Sequence, residues 1–281
     1  MIAVCPNPFR DSELAITRQV VDILRREGAE AVVCPVFVED APESVPADIE
    51  AIALESVASR CNMAVVIGGD GTLLAVARKL HNLPVPILGV NLGTKGFMCA
   101  LEPGDIELVA RAAKGDYTIS RRMMLDVKLK RDGETIYTDC ALNDAVLHGY
   151  GDCIKHTAWC GEAKIISYSG DGIILSTPTG STGYSMSAGG PIVEPTASNI
   201  ILSPICAHMM GARSYVLDPQ HRVFVMTEKL HGRRAYLSVD GNTGVDLANG
   251  DILEVTCSEH CTLMVDLGLR SFFEIAFEKL V

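Results

Sequence analysis

The sequence predicts an α/β domain followed by a β-rich domain, and three observations support this prediction. The chain has 281 residues, 48% of them apolar, which is enough for one large or two ordinary domains. In the first third, continuous apolar segments alternate with amphipathic ones, as in a parallel sheet that helices cover on both faces. Beyond about residue 120, short segments alternate apolar and polar residues around turn signals, which is typical of an antiparallel sandwich.

The first domain is expected to be a Rossmann-like α/β fold with a parallel sheet over residues 1–118. Continuous apolar segments predict its strands at residues 1–6, 29–37, 63–69 and 85–91. Amphipathic segments predict helices at residues 11–28, 72–80 and 103–116. The first helix is expected to begin at the cap residue Ser12 and to end at Gly28. Its buried stripe comprises Leu14, Val20, Val21 and Leu24.

The second domain, over residues 119–265, is expected to be all-β and sandwich-like. Alternating segments flank Asp132-Gly133, which predicts a hairpin over residues 125–139. Further short strands are predicted at residues 221–227, 234–244, 250–258 and 261–267. The last segment, residues 270–281, is long and apolar enough to dock on a neighbour, and we expect residues 266–281 to return to the first domain.

Composition argues against several classes of partner. The formal net charge is −11, from 24 Lys+Arg against 35 Asp+Glu, so the chain is a poor candidate for general nucleic-acid binding. The N-terminal segment lacks the basic flank of a signal peptide, and no apolar run approaches the roughly 18 residues of a membrane span. Without a secretory signal, the ten cysteines are expected to be reduced thiols in the cytoplasm.

Two short segments contain cysteine and histidine together and could in principle supply zinc ligands. Their candidate residues are Cys153, His156, Cys160, Cys257, His260 and Cys261. Neither segment has the paired C-x-x-C spacing of a strong zinc signature, so no zinc site is expected.

The segment Gly68-Gly69-Asp70-Gly71-Thr72 follows the third predicted strand, at the sheet edge where α/β proteins bind ligands. Glycine-rich turns there usually hold phosphates, which a carboxylate should repel. One interpretation is a tight turn that Asp70 or Thr72 caps. The other is functional: Asp70 binds Mg²⁺, or takes a proton from a hydroxyl that attacks a phosphoryl group.

Residues 169–191 form a second unusual stretch, in which an apolar strand leads into small hydroxyl residues, glycines and Tyr184. This stretch has no lysine or arginine, so it is not built chiefly to neutralise phosphate. Small residues allow a ligand to approach the backbone closely, and a tyrosine can stack on a base. The alternative is a Ser/Gly surface loop. In a third stretch, Asn143-Asp144 interrupts an apolar strand, either as a bulge or as an amide and carboxylate pair for ribose hydroxyls.

These motifs resemble the NAD kinase family over nearly the whole chain. Residues 68–72 match the GGDGT loop, residues 91–98 match the Asn-Leu-Gly-x-x-Gly-Phe segment, and "VDGN" near Asp240 resembles a late Asp-Gly turn. GGDGT alone is weak, because lipid kinases and phosphofructokinases carry similar loops. The Thr-Pro-Thr-Gly-Ser-Thr-Gly-Tyr-Ser run is specific, and it decides the resemblance.

The resemblance implies that ATP phosphorylates the 2′-hydroxyl of the adenosine ribose of NAD, giving NADP, with a divalent metal, Mg²⁺. It implies that Asp70 is the base or aligner of that hydroxyl. It places the phosphate loop at Gly68, Gly69, Gly71 and Thr72. The implied NAD contacts are Asp70, Gly71, Phe97, Asn143, Asp144, Asp171, Thr179, Thr182, Gly183, Tyr184 and Ser187. Family members are usually homotetramers or dimers, so a homo-oligomer is expected.

One residue departs from the family pattern, and two other functions stay open at this point. The family has Asn-Glu where this chain has Asn143-Asp144, and the aspartate side chain, shorter by one methylene, reaches less far toward a ribose hydroxyl. One alternative is a lipid or sugar kinase that shares only the GGDGT loop, which does not explain the stretch around Tyr184. The other is a catalytically silent dinucleotide-binding protein, against which the retention of Asp70 argues.

Overall fold

The computed structural model describes residues 1–38, 44–94, 96–228, 230–242 and 244–280. Its helices are α1 (Ala15–Arg26), α2 (Leu54–Val57), α3 (Asp70–Lys79), α4 (Val109–Ala113), α5 (Tyr184–Ser187) and α6 (Phe272–Leu280). Its strands are β1 (Ile2–Pro6), β2 (Ala31–Val33), β3 (Met63–Gly68), β4 (Ile87–Asn91), β5 (Thr118–Arg131), β6 (Glu134–Ala141), β7 (Asp144–Gly149), β8 (Ile154–Cys160), β9 (Ala163–Gly170), β10 (Gly172–Ser176), β11 (Ile200–Ile205), β12 (Tyr215–Leu217), β13 (Val223–Thr227), β14 (Ala235–Val239), β15 (Val245–Asp246) and β16 (Ile252–Asp266). The chain forms two compact units: unit 1 comprises Met1–Arg121 and the C-terminal stretch from Thr262, and unit 2 comprises Arg122–Cys261.

Unit 1 contains the parallel sheet that the sequence predicts. Its strands lie in the order β2-β1-β3-β4, and the end of β16 pairs with β4 through Met264 and Ile87. Every residue of β1, β3 and β4 is buried, as expected for strands covered on both faces. One of these faces shares a hydrophobic core with α1 and α4. The prediction of an α/β domain is confirmed, although β2 is shorter than the segment predicted for it.

The start of the first helix differs from the prediction, because Ser12 is not its cap. Residues 12–14 form a single 3₁₀ turn, and Leu14 has a left-handed backbone with φ of 51°. The α-helix therefore begins after Leu14. The capping group is the buried carboxylate of Asp11, which accepts the N–H groups of Ile16 and Thr17, both at 2.9 Å.

Unit 2 is a β-sandwich. One sheet has the antiparallel order β12-β11-β10-β7-β14-β15, and the other contains the paired strands β16-β13-β8-β9 together with β5 and β6. Alternate residues of both sheets meet in one hydrophobic core, to which β7 contributes Leu147 and β13 contributes Val225. The β-rich, sandwich-like prediction is therefore confirmed.

In unit 2, one turn predicted from the sequence is present and one predicted break between strands is absent. The predicted hairpin turn is present, with positive φ at both Asp132 (51°) and Gly133 (85°), as a type I′ turn requires. The separate strands predicted at 250–258 and 261–267 are wrong, because one strand, β16, runs through both. No glycine or proline interrupts the chain between them.

No helix in the described ranges is both long and apolar enough to cross a bilayer.

Candidate active site

The glycine-rich segment of unit 1 lies at the carboxyl end of β3. Helix α3 begins there, with Gly69 in the extended conformation as its N-cap residue. Residues that follow β1 and end β4 lie at the same sheet edge, because parallel strands present their carboxyl ends together. Asn7, which follows β1, donates a hydrogen bond from Nδ2 to Oγ1 of Thr72 at 3.1 Å.

Gly68 is required by the packing of this turn. A Cβ atom at Gly68 would lie 2.4 Å from Oγ1 of Thr72, whose side chain is buried. Gly71 differs, because it is exposed and a Cβ there would meet nothing within 4 Å. An exposed residue in the first turn of a helix leaves its backbone N–H open to an anion, so Gly71 suits a phosphate contact.

Asp70 does not cap its own helix. Its Oδ2 accepts the backbone N–H of Phe97 at 3.0 Å, and its Oδ1 accepts that of Met98 at 3.1 Å. The interpretation of Asp70 or Thr72 as a side-chain cap is therefore wrong, since α3 has no side-chain cap bond at its start. Instead, the carboxylate is held in one orientation by two groups from a separate segment.

Opposing electrostatic influences act on Asp70. Burial raises the pKa of its carboxyl above the ordinary value, while the N–H groups of Phe97 and Met98 and the charge of Lys279 lower that pKa. The nearby charge of Glu102 raises the pKa of Asp70 further. A half-buried carboxylate with a raised pKa is a better proton acceptor than an exposed aspartate.

In unit 2, the loop after β10 is anchored to the start of β7. Thr177 donates its N–H to the carbonyl oxygen of Asn143 at 2.9 Å, and its hydroxyl to that of Leu142 at 2.6 Å. The hydroxyl of Thr177 also accepts the N–H of Gly180 at 3.1 Å. These bonds bring residues 177–183 beside Asn143, so two of the sequence motifs lie next to each other.

Buried polar atoms in this loop lack partners. Within the described parts of the chain, Oδ1 of Asn143 and Oγ1 of Thr179 are buried and accept or donate no hydrogen bond. Leaving a buried polar group unpaired costs about 1–3 kcal/mol, so clustered examples call for an explanation. Each atom is therefore available to a polar ligand at this loop.

The carboxylate of Asp240 organises the start of β7. It accepts the backbone N–H groups of Leu142 at 2.7 Å, Asn143 at 2.8 Å and Asp144 at 2.9 Å. The sequence predicts a turn at Asp240 and assigns no function to this residue. Its pattern, an aspartate before glycine, signals only a turn, and φ of 48° at Asp240 agrees with that signal.

Asp144 lies next to this partly buried carboxylate and is itself 7% exposed. Burial, and then the charge of Asp240, raise the pKa of Asp144 to about 7. Burial also raises the pKa of Asp240, which three N–H donors counteract by stabilising its ionised form. Of the two carboxyls, Asp144 is therefore the one that takes up a proton more readily as pH falls.

Tyr184 is the first residue of α5, and its ring stacks on His148. Their ring centroids are 6.4 Å apart with an interplanar angle of 22°. His148 also lies 5.9 Å from the ring of Tyr236, so an aromatic row crosses β7 and β14. No motif in the sequence marks His148 or Tyr236, although alternation along β7 places His148 on the same face as Asp144.

The remaining predicted contacts of unit 2 are spread along β10. Asp171 immediately precedes this strand, at the end beside His148, and its carboxylate forms a hydrogen bond that raises the pKa of the Cys206 thiol. Thr182 and Gly183 close the 3₁₀ turn at the opposite end, and Ser187 ends α5. The ring of Tyr184, which stacks on His148, connects these residues with the Asp171 end of the strand.

Metal sites are not formed by the described side chains alone, since no group of three His, Cys, Asp or Glu among them could hold an ion. All ten cysteines are free thiols. His156, one of the zinc candidates, is buried, and its Nδ1 lies 3.4 Å from the hydroxyl of Thr227.

Comparisons with known proteins identify the family of this chain. The family model of the ATP-NAD kinase N-terminal domain matches residues 2–117, and that of the ATP-NAD kinase C-terminal domain matches residues 142–267. NAD kinase from Acetivibrio thermocellus is 36% identical over 99% of this chain and 96% of its own length. NAD kinase from Geobacter sulfurreducens is 38% identical over 84% of this chain and 81% of its own length.

Solved structures show the same fold. Yeast NADH kinase complexed with NADH has a TM-score of 0.85 at 23% identity, covering 99% of this chain and 86% of that chain. An NAD kinase from Archaeoglobus fulgidus in complex with ATP has a TM-score of 0.78 at 26% identity, covering 100% and 98%. These matches do not favour a lipid or sugar kinase or a silent binding protein. With both halves of the family model matched and full-length relatives above 30% identity, this chain belongs to the NAD kinase family and is a kinase that acts on NAD.

Proposed function

We propose that Asp70 orients and deprotonates the 2′-hydroxyl of the adenosine ribose of NAD while ATP donates its γ-phosphoryl group, giving NADP and ADP. The hydroxyl oxygen bonds to the γ-phosphorus, the bond from that phosphorus to the bridging oxygen of ADP breaks, and the hydroxyl proton passes to Asp70. The observation that supports this role most directly is the fixed carboxylate, which two backbone N–H groups orient at the carboxyl end of β3.

The phosphates of ATP are proposed to lie against the first turn of α3. Gly68 leaves room for the buried side chain of Thr72, and the exposed Gly71 leaves its backbone N–H open to a phosphate. Gly69 is the N-cap residue of α3, and the helix N-terminus favours negative charge. Thr72, held by Asn7, fixes the turn from within.

The described residues could hold a divalent ion, Mg²⁺, only together with the phosphates of ATP. Mg²⁺ is usually held by one or two carboxylates together with substrate phosphates, and Asp70 is the carboxylate at the glycine-rich turn. When bound, the ion would neutralise charge on the phosphates.

Unit 2 is proposed to bind the dinucleotide. Asn143 and Thr179 each present a buried polar atom that a ribose or base edge could satisfy, and Tyr184 offers a ring for stacking. The further contacts proposed are Phe97, Asp144, Asp171, Thr182, Gly183 and Ser187.

The test is NADP formation from NAD, ATP and Mg²⁺, with the Asp70→Asn variant compared with the parent. We expect turnover to fall by roughly 10²–10⁴, the usual span for loss of a general base, with NAD affinity within a few-fold. Asparagine has one acceptor oxygen, so it can keep only one of the two hydrogen bonds that the Asp70 carboxylate accepts. Thermal melting must therefore show that the variant is folded. Asp22→Asn, on the exposed side of α1, is the matched control.

Two results would reassign Asp70. Turnover near that of the parent would remove Asp70 from the mechanism. Recovery of activity at raised Mg²⁺, or with Mn²⁺, would make Asp70 a metal ligand instead of a base.

We also propose a homo-oligomer, a tetramer or dimer, in the cytoplasm. The ten free thiols support a reducing compartment, and the family resemblance supports the oligomer. Light scattering at assay concentration tests the oligomer, and a monomer would contradict it.

A further inference from the structure

We propose that Glu102 is a positioning residue for Asp70, and that helix α6 holds Glu102 in place through Lys279. This inference rests on the proposed role of Asp70 in catalysis. All of the residues involved belong to unit 1.

The first link joins Asp70 to the segment after β4. Both carboxylate oxygens of Asp70 accept backbone N–H groups of this segment, from Phe97 and Met98. A side chain held through both oxygens follows any movement of its donors. The orientation of Asp70 therefore depends on what fixes residues 96–98.

The second link is the buried amide of Asn91, around which the segment folds. Oδ1 of Asn91 accepts the N–H of Gly93 at 2.9 Å. Gly96 has φ of +58°, and a Cβ there would lie 2.4 Å from Nδ2 of Asn91. Gly93 and Gly96 thus both lie directly against the Asn91 amide, which is 2% exposed.

The third link is Glu102, which determines how the Asn91 amide is oriented. Nδ2 of Asn91 donates to Oε2 of Glu102 at 3.0 Å and to Oε1 at 3.2 Å. A flipped amide would lose these bonds and the one to Gly93 together. Glu102 is also fixed by a reciprocal capping box with Asp105 at the start of the 3₁₀ helix Pro103–Leu108.

The fourth link comes from the C-terminal segment. Nζ of Lys279, in α6, donates to Oε1 of Glu102 at 3.2 Å, and the guanidinium of Arg270 lies 3.7 Å from the same oxygen. The Lys279 side chain is only 17% exposed, so solvent screens this pair less than an ordinary surface pair. Helix α6 thereby contributes to the geometry of Asp70 without contacting the reacting atoms.

The experiment compares Lys279→Met, Lys279→Arg and Glu102→Gln with the parent enzyme. For Lys279→Met and Glu102→Gln we expect kcat to fall roughly tenfold, because small displacements of a catalytic group are costly, with KM for NAD within about twofold. Lys279→Arg, which retains the charge and the donor, should keep at least about half of kcat. Lys114→Met, which breaks the exposed Lys114–Glu27 pair (2.8 Å) in the same unit, should match the parent.

The pH profile adds a readout that loss of stability alone would not change. The charge of Lys279 lowers the pKa of Asp70, so Lys279→Met should move the acid limb of kcat to higher pH. Thermal melting of each variant identifies one that is not folded. If Lys279→Met or Glu102→Gln is not folded, the kcat of the other variant decides the result.

Parent-like kcat in both Lys279→Met and Glu102→Gln would overturn the proposal, as would a rise in KM with kcat unchanged. The Asp70→Asn variant separates this failure from failure of the proposed function. If Asp70→Asn is inactive while the Glu102 and Lys279 variants are fully active, only the positioning role is wrong. If Asp70→Asn is as active as the parent, both proposals fall.

Discussion

The carboxylate of Asp240 accepts the backbone N–H of Asn143 at 2.8 Å, although the two residues are 97 positions apart in the chain. Because the same carboxylate also binds the N–H groups of Leu142 and Asp144, one side chain fixes the backbone where β7 begins. Asp240 thus holds Asn143 through a hydrogen bond to its backbone. The turn at Asp240 therefore positions Asn143 and Asp144 through hydrogen bonds to their backbone N–H groups.

Asp240→Asn should therefore destabilise the protein and weaken NAD binding. An amide has one acceptor oxygen, and its NH₂ group would face backbone donors, so at least one buried N–H loses its partner. The expected cost is about 1–3 kcal/mol in the free energy of unfolding, measured by denaturant titration. Asp246→Asn, which removes a mostly exposed ion pair with Arg234, should change it by less than about 1 kcal/mol. Equal stability of the two variants would contradict the role given to Asp240.

Most of the fold can be predicted because the burial of a strand determines which of its residues are apolar. Strands covered on both faces must be continuously apolar, and the hairpin turn at Asp132-Gly133 requires residues that accept positive φ. The predicted start of α1 is wrong because Leu14 has a left-handed backbone, and nothing in the local sequence signals that conformation. The sequence predicts two strands in place of β16 because the polar residues in the middle of β16 resemble a turn, although they are extended.

The site was predictable where a motif is contiguous and unpredictable where it depends on distant segments. Asp70 and Tyr184 stand out among glycines and small residues. The attachment of Asp70 to Phe97, and of Asn91 to Glu102, joins residues far enough apart that only the fold brings them together. Sequence spacing carries no signal for such pairs.

Asp144→Asn should change how stability depends on pH. Burial and the charge of Asp240 raise the pKa of Asp144 to about 7, so the folded state retains a proton that the unfolded state releases from about pH 4 upwards. The contribution of Asp144 to stability consequently decreases as pH rises from about 4 to about 7. An asparagine there resembles the protonated acid, so the variant should gain stability relative to the parent on going from about pH 5 to about pH 8.

Denaturant unfolding at both pH values checks this expectation, with Asp22→Asn as an exposed control. A parent and an Asp144→Asn variant with parallel pH dependence would show that Asp144 is ionised throughout. KM for NAD provides a second measurement. If ionised Asp144 accepts a ribose hydroxyl, KM in the parent should fall as pH rises through about 7, and Asp144→Asn should lose this dependence.

Gly180→Ala should disrupt the loop beside Asn143. A Cβ at Gly180 would lie 2.2 Å from the carbonyl oxygen of Asn143, and backbone cannot yield as a flexible side chain does. Overpacking of this kind typically costs about 1–3 kcal/mol, and the displacement should weaken NAD binding at least about tenfold. Gly211→Ala, where a Cβ would meet nothing within 4 Å, should leave both quantities unchanged. Normal NAD affinity in Gly180→Ala would separate this loop from the dinucleotide site.

Tyr184→Ala should weaken NAD binding by about 1–3 kcal/mol through lost stacking, with a smaller effect on the affinity for ATP. The ring is 41% exposed and already aligned by His148, so it is a preformed platform on which a base can stack without further ordering. Tyr184→Phe retains the ring and should bind nearly as well as the parent. Tyr215→Ala removes a tyrosine of similar exposure (37%) from β12 and serves as the control. Calorimetry that finds equal NAD affinity in the parent and Tyr184→Ala would rule out stacking, and an equal loss in Tyr184→Phe would assign the effect to the hydroxyl.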